Sequence, residues 1–205
     1  MRDDRLRPAE WVNAGLKALA KSGFSALKAG TLANRLGISR GSFYWHFADV
    51  PAFHAAILQC WREIALENII DEIEGAAADP LEALVHRAFA RDTGIERAVR
   101  AWATADPRAR AAVEKVDAER IGYLRKLLIA AGIPAGEAAT RARLINWCYL
   151  GFALSSNTLD RATLKEVIAD LSQFARSKPG RLPDDARPPR AAKRRGRRTA
   201  GRPSR

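Results

Sequence analysis

The amino-acid sequence predicts an all-α protein with a small N-terminal domain, a larger helical body and a basic tail. Through the first 175 residues, apolar side chains recur three or four positions apart, which is the period of a helix. Alternating apolar and polar runs rich in β-branched residues, which indicate strands, are missing from this stretch. Proline and glycine residues interrupt the pattern where helices would start and stop, so we expect about nine helices.

The first 50 residues are expected to form three helices, over about 8–22, 29–36 and 39–46. Pro8 suits the first turn of a helix, and Gly23 supplies its end. Gly37 ends the second helix, and Ser39 is expected to cap the third. Two short helices joined by a tight glycine turn are the geometry of a helix-turn-helix.

The body is expected to contain six further helices, over about 51–73, 80–91, 95–104, 107–131, 137–158 and 163–174. Pro51, Pro80 and Pro107 each suit the first turn of one of them. The helix over 137–158 is apolar on more than one side, which indicates burial against both its own domain and a partner, and the last helix offers a second apolar face. The predicted dimer interface consists of Leu150, Leu154, Leu164, Ile168 and Leu171.

The net charge of +12 is concentrated at the two ends of the chain. Residues 1–50 carry +4, residues 51–175 carry −2, and residues 176–205 carry +10, from 12 basic and 2 acidic side chains. A polyanionic partner is therefore expected at the ends and not on the body. The composition of the tail, rich in proline, glycine and arginine, predicts disorder.

Other features exclude several classes of protein. No apolar run is long enough to span a membrane, and no signal peptide opens the chain, so a cytoplasmic protein is expected. Cys60 and Cys148 are far apart and are expected to be buried apolar side chains, with no disulfide or zinc site. His46 has no second ligand at helical spacing, so no metal site is predicted. No catalytic constellation or phosphate loop is present, which argues against an enzyme and against a cofactor.

The predicted helix-turn-helix separates inward from outward side chains. Ala33 is small where the helices cross, and Phe43 and Phe47, four residues apart, face the core together. The outward side of the third helix then carries Arg40, Gly41, Ser42, Tyr44, Trp45 and His46.

The segment from Leu27 to Phe53, LKAGTLANRLGISRGSFYWHFADVPAF, resembles the DNA-binding signature of the TetR family of transcriptional regulators, also called TetR/AcrR. The resemblance covers about the first 60 residues. It implies that the third helix is the recognition helix, with Ser39 at its start and with Arg40, Gly41, Ser42 and Trp45 facing base edges.

The resemblance also implies phosphate contacts by Lys28, Thr31, Tyr44 and His46. Arg40 is the preferred candidate for sequence readout, because arginine to guanine is the commonest specific contact, and its alternative is an ordinary solvated arginine. For Trp45 the alternative is packing against the first helix. Val50 stands where the family usually has a lysine, so a phosphate contact at the start of the fourth helix is expected to be lost.

For the body, the resemblance implies an effector pocket and a dimer formed by the last two helices. The predicted pocket consists of His86, Phe89, Trp102, Tyr123, Asn146 and Trp147, and its alternative is ordinary core packing. A cluster of Glu63, Glu67 and Asp71 fits either a site for cationic ligands or a solvated helix face, and we favour the latter.

The tail contains Arg195-Gly196-Arg197, which resembles an AT-hook that enters a narrow minor groove. Generic attraction to phosphates is the preferred alternative for these arginines.

These observations predict a helix-turn-helix domain over 1–50, an effector-binding and dimerisation domain over 51–176, and a disordered basic tail over 177–205. The expected function is that of a sequence-specific regulator, a ligand-responsive repressor that binds a palindromic operator as a homodimer in a bacterial cytoplasm, on the nucleoid. The alternative is an architectural, sequence-tolerant DNA-binding protein that uses the helix-turn-helix and the tail together.

Overall fold

The computed structural model of the chain describes residues 6–76, 78–156 and 159–177, and these residues form nine helices and no strand. The helices are α1 Pro8–Ser22, α2 Ala29–Leu36, α3 Arg40–Tyr44, α4 Val50–Ala76, α5 Pro80–Phe89, α6 Gly94–Ala103, α7 Pro107–Ala130, α8 Ala135–Leu154 and α9 Arg161–Arg176. A short 3₁₀ turn, Phe24–Leu27, joins α1 to α2. The all-α prediction is confirmed. The predicted tail, with Arg195 and Arg197, lies outside the described residues except for Ser177.

Helix α4 is not uniform along its length. It consists of an α segment Val50–Arg62, a π turn Glu63–Glu67 and a second α segment Asn68–Ala76. Asp49 caps its start, because its side chain accepts a hydrogen bond from the Ala52 amide at 2.7 Å. The sequence pattern predicted the helix and did not predict the π turn.

Several predicted boundaries are corrected. The α3 helix ends at Tyr44 instead of residue 46, because the His46 and Phe47 amides both donate to the Phe43 carbonyl and tighten the last turn. The α8 helix was expected to reach residue 158 and ends at Leu154. Ser155 has an extended backbone, as suits serine, whose hydroxyl competes for backbone hydrogen bonds.

The cap predicted for α3 is wrong in its detail: Ser39 occupies the N-cap position, but its side chain makes no capping hydrogen bond. The cap of α9 was missed. Asp160 accepts from the Ala162 and Thr163 amides at 2.9 Å each, so the helix begins before the expected Thr163.

The hydrophobic core has two parts. The first joins α1 to α3 and the first segment of α4 with α6 and the N-terminal half of α7. The second lies among α5, the C-terminal half of α7, α8 and α9. The first part crosses the predicted domain boundary at residue 50, so the helix-turn-helix domain is packed firmly on the body.

Candidate nucleic-acid interface and ligand cavity

Phe43 holds α3 against the rest of the N-terminal domain. Its side chain is fully buried, and its ring lies 5.4 Å from the Trp11 ring and 5.2 Å from those of Phe47 and Phe53. These contacts tie α3 to α1 and to α4. The orientation of the outward side chains of α3 is therefore set by a rigid aromatic core.

The predicted DNA-contacting residues are all at least partly accessible. Lys28, Thr31, Ser39, Arg40, Gly41, Tyr44 and Trp45 are exposed, and Ser42 and His46 are half-buried. Trp45 is 83% exposed, so the alternative that it packs against α1 is wrong. Most of its large apolar surface therefore faces solvent.

Two glycines in this region serve different purposes. Gly37 has a φ of 68° and lies in the left-handed region, so the turn between α2 and α3 requires it. At Gly41, an added Cβ would meet only the Ser39 hydroxyl, at 3.8 Å. The fold itself therefore leaves room for a side chain at position 41.

Val50, where a lysine was expected from the family pattern, is half-buried and packs against the first part of the core. It therefore contributes to the contact between α4 and the N-terminal domain.

A cavity of about 100 Å³ lies between the two parts of the core. Its walls are mainly apolar side chains of α4, α5, α7 and α8, and its polar lining includes Arg91, Glu96, Arg120, Tyr123, Asn146 and Tyr149. An apolar lining with a few polar groups is typical of small-molecule sites.

Of the predicted pocket residues, Phe89, Tyr123 and Asn146 line this cavity. The placement of the other three is corrected. His86 is exposed beside Glu82, and Trp147 is 60% exposed on the outside of α8. Trp102 is buried in the first part of the core, where it stacks on Phe24 at 4.9 Å. Helical periodicity alone does not say which side of an aromatic helix faces a cavity.

The acidic residues Glu63, Glu67 and Asp71 do not line the cavity. Glu63 accepts a hydrogen bond from Gln59, Glu67 pairs with Arg62, and Asp71 is exposed. Of the three, only Asp71 belongs to a solvated face, because Glu63 and Glu67 are half-buried.

A buried ion-pair cluster, missed by sequence reasoning, forms the polar end of the cavity. Glu96 is 4% exposed and accepts hydrogen bonds from Arg100 Nε at 2.7 Å and from Arg120 Nη1 and Nη2 at 3.0 and 2.9 Å. Arg100 also pairs with Asp117. Burial raises the pKa of Glu96, but the two arginines outweigh it and hold the pKa below its ordinary value. Glu96 lies three and seven residues before Val99 and Ala103, on the apolar face of α6. This spacing in the sequence could have indicated that Glu96 is buried.

The dimer residues predicted on α9 need correction. Ile168 and Leu171 are buried within the protomer, and Leu164 packs beside them. Val167, next to Ile168, and Phe174, three residues after Leu171, are exposed instead, so the outward apolar side chains of α9 are not the ones predicted. On α8, Leu150 is half-buried and Leu154 is exposed. Cys148, expected to be buried, is exposed.

Exposed apolar side chains of α8, of α9 and of Leu159 between them form a groove. It is lined by Leu144, Cys148, Leu159, Val167 and Phe174, with the buried Phe89 and Leu171 at its base. No helix in the described part of the chain is long and apolar enough to cross a bilayer.

Comparison with known proteins agrees with this architecture. Residues 12–49 match the family described as bacterial regulatory proteins, tetR family. No curated protein sequence matches the chain.

Solved structures share the fold. A transcriptional regulator from Rhodococcus sp. Rha1 is 23% identical, with 85% of this chain and 100% of that chain covered at a TM-score of 0.65. A TetR-family regulator from Mesorhizobium loti MAFF303099 is 18% identical, with 85% and 97% covered at 0.63. The fatty acid degradation regulator FadR from Bacillus halodurans is 13% identical, with 82% and 93% covered at 0.61.

Proposed function

We propose that this chain, a TetR-family transcriptional regulator with a helix-turn-helix DNA-binding domain, is a ligand-responsive repressor that binds a palindromic operator as a homodimer. The observation that carries the proposal is the exposed face of α3. Arg40 and Trp45 project there, Gly41 leaves the backbone accessible, and the buried Phe43 holds the helix in place. In this proposal the protein acts in the bacterial cytoplasm, on the nucleoid, and has no enzymatic activity.

The side chains of α3 divide into two roles. Arg40 is suited to donate two hydrogen bonds to a guanine, and Gly41 lets the helix backbone approach the groove. Lys28, at the start of α2, and Tyr44 reach phosphates and set the register of the helix on the duplex. Ser39, Ser42, Thr31 and His46 extend these two sets of contacts.

Dimerisation is supported by the groove of α8 and α9. A single short helix reads few base pairs, whereas two helices spaced by about 34 Å read a palindrome. Contiguous apolar surface on the outside of a protein indicates an association site, and Leu144, Val167 and Phe174 supply such a surface here. The partner that fits it is a second copy of the same two helices, which gives a self-complementary interface.

The cavity supports control by a small molecule. It lies behind α4, whose first segment packs on α1 so closely that Ile57 and Phe53 leave no room for a side chain at Gly15. A ligand that shifts α4 would therefore move the helix-turn-helix domain, and with it the spacing of the two recognition helices.

The test is a selection of duplexes from a random pool, followed by titration of the selected and scrambled duplexes at two salt concentrations. We expect the selected sequence to contain two inverted half-sites about one helical turn apart and to bind more tightly at both salts. Equal affinities for the two duplexes would instead support the architectural alternative. Val167→Glu is expected to give monomers by sedimentation and to lose the palindromic complex, while the exposed Lys126→Glu serves as the control.

A further inference from the structure

We propose that the cavity binds an apolar monocarboxylate, and that its carboxylate draws Arg91 away from the π turn of α4. This inference rests on the proposed function in one respect, namely that the cavity is an effector site. It adds the chemical class of the ligand and the contact through which binding reaches α4.

The π turn exposes backbone carbonyls that would otherwise lie within an α-helical ladder. The Asn68 amide donates to the Glu63 carbonyl five residues earlier. The Ile64 carbonyl accepts a hydrogen bond from Arg91 Nη1 at 3.1 Å, and the Ala65 carbonyl accepts one from Arg120 Nη2 at 3.3 Å. Two guanidinium groups from outside the helix thus supply hydrogen bonds to the carbonyls of the π turn. Such single π turns occur frequently at functional sites.

The polar groups of the cavity favour an anionic ligand. Glu96 and Arg120 satisfy each other and have little capacity to spare. Arg91 is half-buried and makes one hydrogen bond, to a neutral carbonyl, and no ion pair with any described residue. Asp92, the other acidic residue at the cavity, is exposed, and its Oδ1 already accepts from the Gly94 amide at 2.8 Å. The unused capacity is therefore that of a cationic donor.

The other residues of the cavity indicate the hydrocarbon part of the ligand and a second hydrogen bond to it. Its walls include Ile69, Leu84 and Ile145, which suit an unbranched or aromatic hydrocarbon body. The Tyr123 hydroxyl is buried without a hydrogen-bond partner and can donate to a second oxygen of the same ligand. A hydrocarbon with one carboxylate satisfies both observations.

Arg91 connects the ligand to the DNA-binding domain. A carboxylate is a stronger acceptor for a guanidinium than a peptide carbonyl, so a bound carboxylate takes Arg91 from Ile64. The π turn then loses one of its two outside hydrogen bonds. A helix bends where groups outside its own backbone hydrogen-bond to it, and the bend changes when such a bond is lost. The first segment of α4 therefore changes direction relative to the second.

The experiment uses the full chain and calorimetric titration with decanoate, decan-1-ol and decylamine, three probes that differ only in the polar head. We expect decanoate to bind and the other two probes to bind at least about tenfold more weakly. This factor corresponds to the loss of one charge-assisted hydrogen bond. Arg91→Met should lose at least about tenfold in decanoate affinity and keep its affinity for decan-1-ol, while Arg91→Lys retains most decanoate binding. Arg87→Met, one turn away on α5 and paired with Glu72 at the surface, is the matched control and should bind decanoate as the unmodified protein does.

Hydrogen exchange tests the link to the π turn. Amides in and just after residues 63–67 should exchange faster with decanoate bound, and already without ligand in Arg91→Met. Equal affinity for decan-1-ol and decanoate, or unchanged decanoate binding by Arg91→Met, would overturn the ligand class. Unchanged exchange at the π turn with decanoate bound would overturn the coupling. Neither measurement uses DNA, so failure here is separate from failure of the operator-binding experiment.

Discussion

Arg40 Nη2 donates a hydrogen bond to the Tyr44 hydroxyl at 3.2 Å, so two side chains of the recognition helix with different proposed targets hold each other in the free protein. The Arg40 guanidinium carbon also lies 5.7 Å from the centre of the Tyr44 ring. The arginine proposed to read a base is thus positioned before DNA arrives, by the tyrosine proposed to bind a phosphate. Preorganisation of this kind lowers the entropy lost on binding.

Arg40→Ala is expected to weaken binding to the selected operator by about 1–3 kcal/mol and to leave binding to a random duplex nearly unchanged, because a base contact is lost. Fluorescence anisotropy with both duplexes measures the difference. Arg35→Ala is the control, since Arg35 is exposed on α2 and bonds the Ser22 hydroxyl. Equal losses on both duplexes would show that Arg40 binds phosphate and does not read sequence.

Gly15→Ala is expected to lower the free energy of unfolding by about 1–3 kcal/mol, because overpacking strains a core. An added Cβ would lie 2.5 Å from Ile57 Cδ1 and 2.8 Å from Phe53 Cζ, and both side chains are fully buried. Gly122→Ala is the control: it lies inside α7 with nothing within 4 Å, and it should gain up to about 1 kcal/mol from helix propensity. Urea unfolding measures both, and equal effects would mean that α1 and α4 can separate at no cost.

Glu96→Gln is expected to cost about 3–5 kcal/mol, because it leaves Arg100 and Arg120 buried without their shared carboxylate. Glu72→Gln, which removes the carboxylate paired with Arg87 at the surface, should have little measurable effect. Chemical unfolding at neutral pH compares the two variants.

The same carboxylate gives a pH dependence at the acidic end. The pKa of Glu96 is lowered in the folded protein, so its stabilisation is complete above its ordinary pKa and is lost as the pH falls through the folded value. Glu96→Gln should therefore flatten the acid limb of a stability profile. An unchanged acid limb would show that Glu96 is not the group responsible.

His54 is expected to destabilise the protein as the pH falls below about 6.5, the ordinary pKa of histidine. Burial lowers the pKa of His54, and this effect is larger than the opposite effect of the Leu27 carbonyl and Asp106, which raise it. Arg108 lowers the pKa further. Below pH about 6.5 the unfolded chain therefore binds a proton that the folded chain resists, so the stabilisation is full above this pH and is lost as the pH falls toward the folded pKa.

The measurement is urea unfolding from neutral to mildly acidic pH for the unmodified protein and His54→Phe. Phenylalanine keeps the aromatic contacts with Phe24 and Trp102 and removes the titration. The other two histidines are common to both proteins and cancel in the comparison. Identical slopes would mean that His54 takes up its proton equally in both states.

The helix-turn-helix was predictable from local patterns. Pro8, Gly23 and Gly37 mark helix ends by backbone preference alone, and Phe43 and Phe47 mark one helix face by their spacing. The outward set on α3 followed from the same period. A three-helix domain of this size leaves few ways to bury its aromatic residues.

Choices between two apolar or two polar faces could not be read from the chain. Leu171 and Phe174 are both apolar residues of α9, yet one is buried in the protomer and the other is exposed. Trp102 and Trp147 look alike in sequence, and neither lines the cavity.

By itself, then, the sequence determined the all-α class, the helix-turn-helix and the side of α3 that faces outward, because each depends on residues within a few positions of one another. Only the tertiary structure decided where the cavity lies, which carboxylate is buried in it, and that Arg91 satisfies the carbonyl of Ile64. These contacts join residues 20 to 30 positions apart, Arg91 to Ile64 and Arg120 to Glu96, and they are set by how helices pack on one another. Helical periodicity shows that a side chain has a preferred face and carries no information about the neighbour that the face meets.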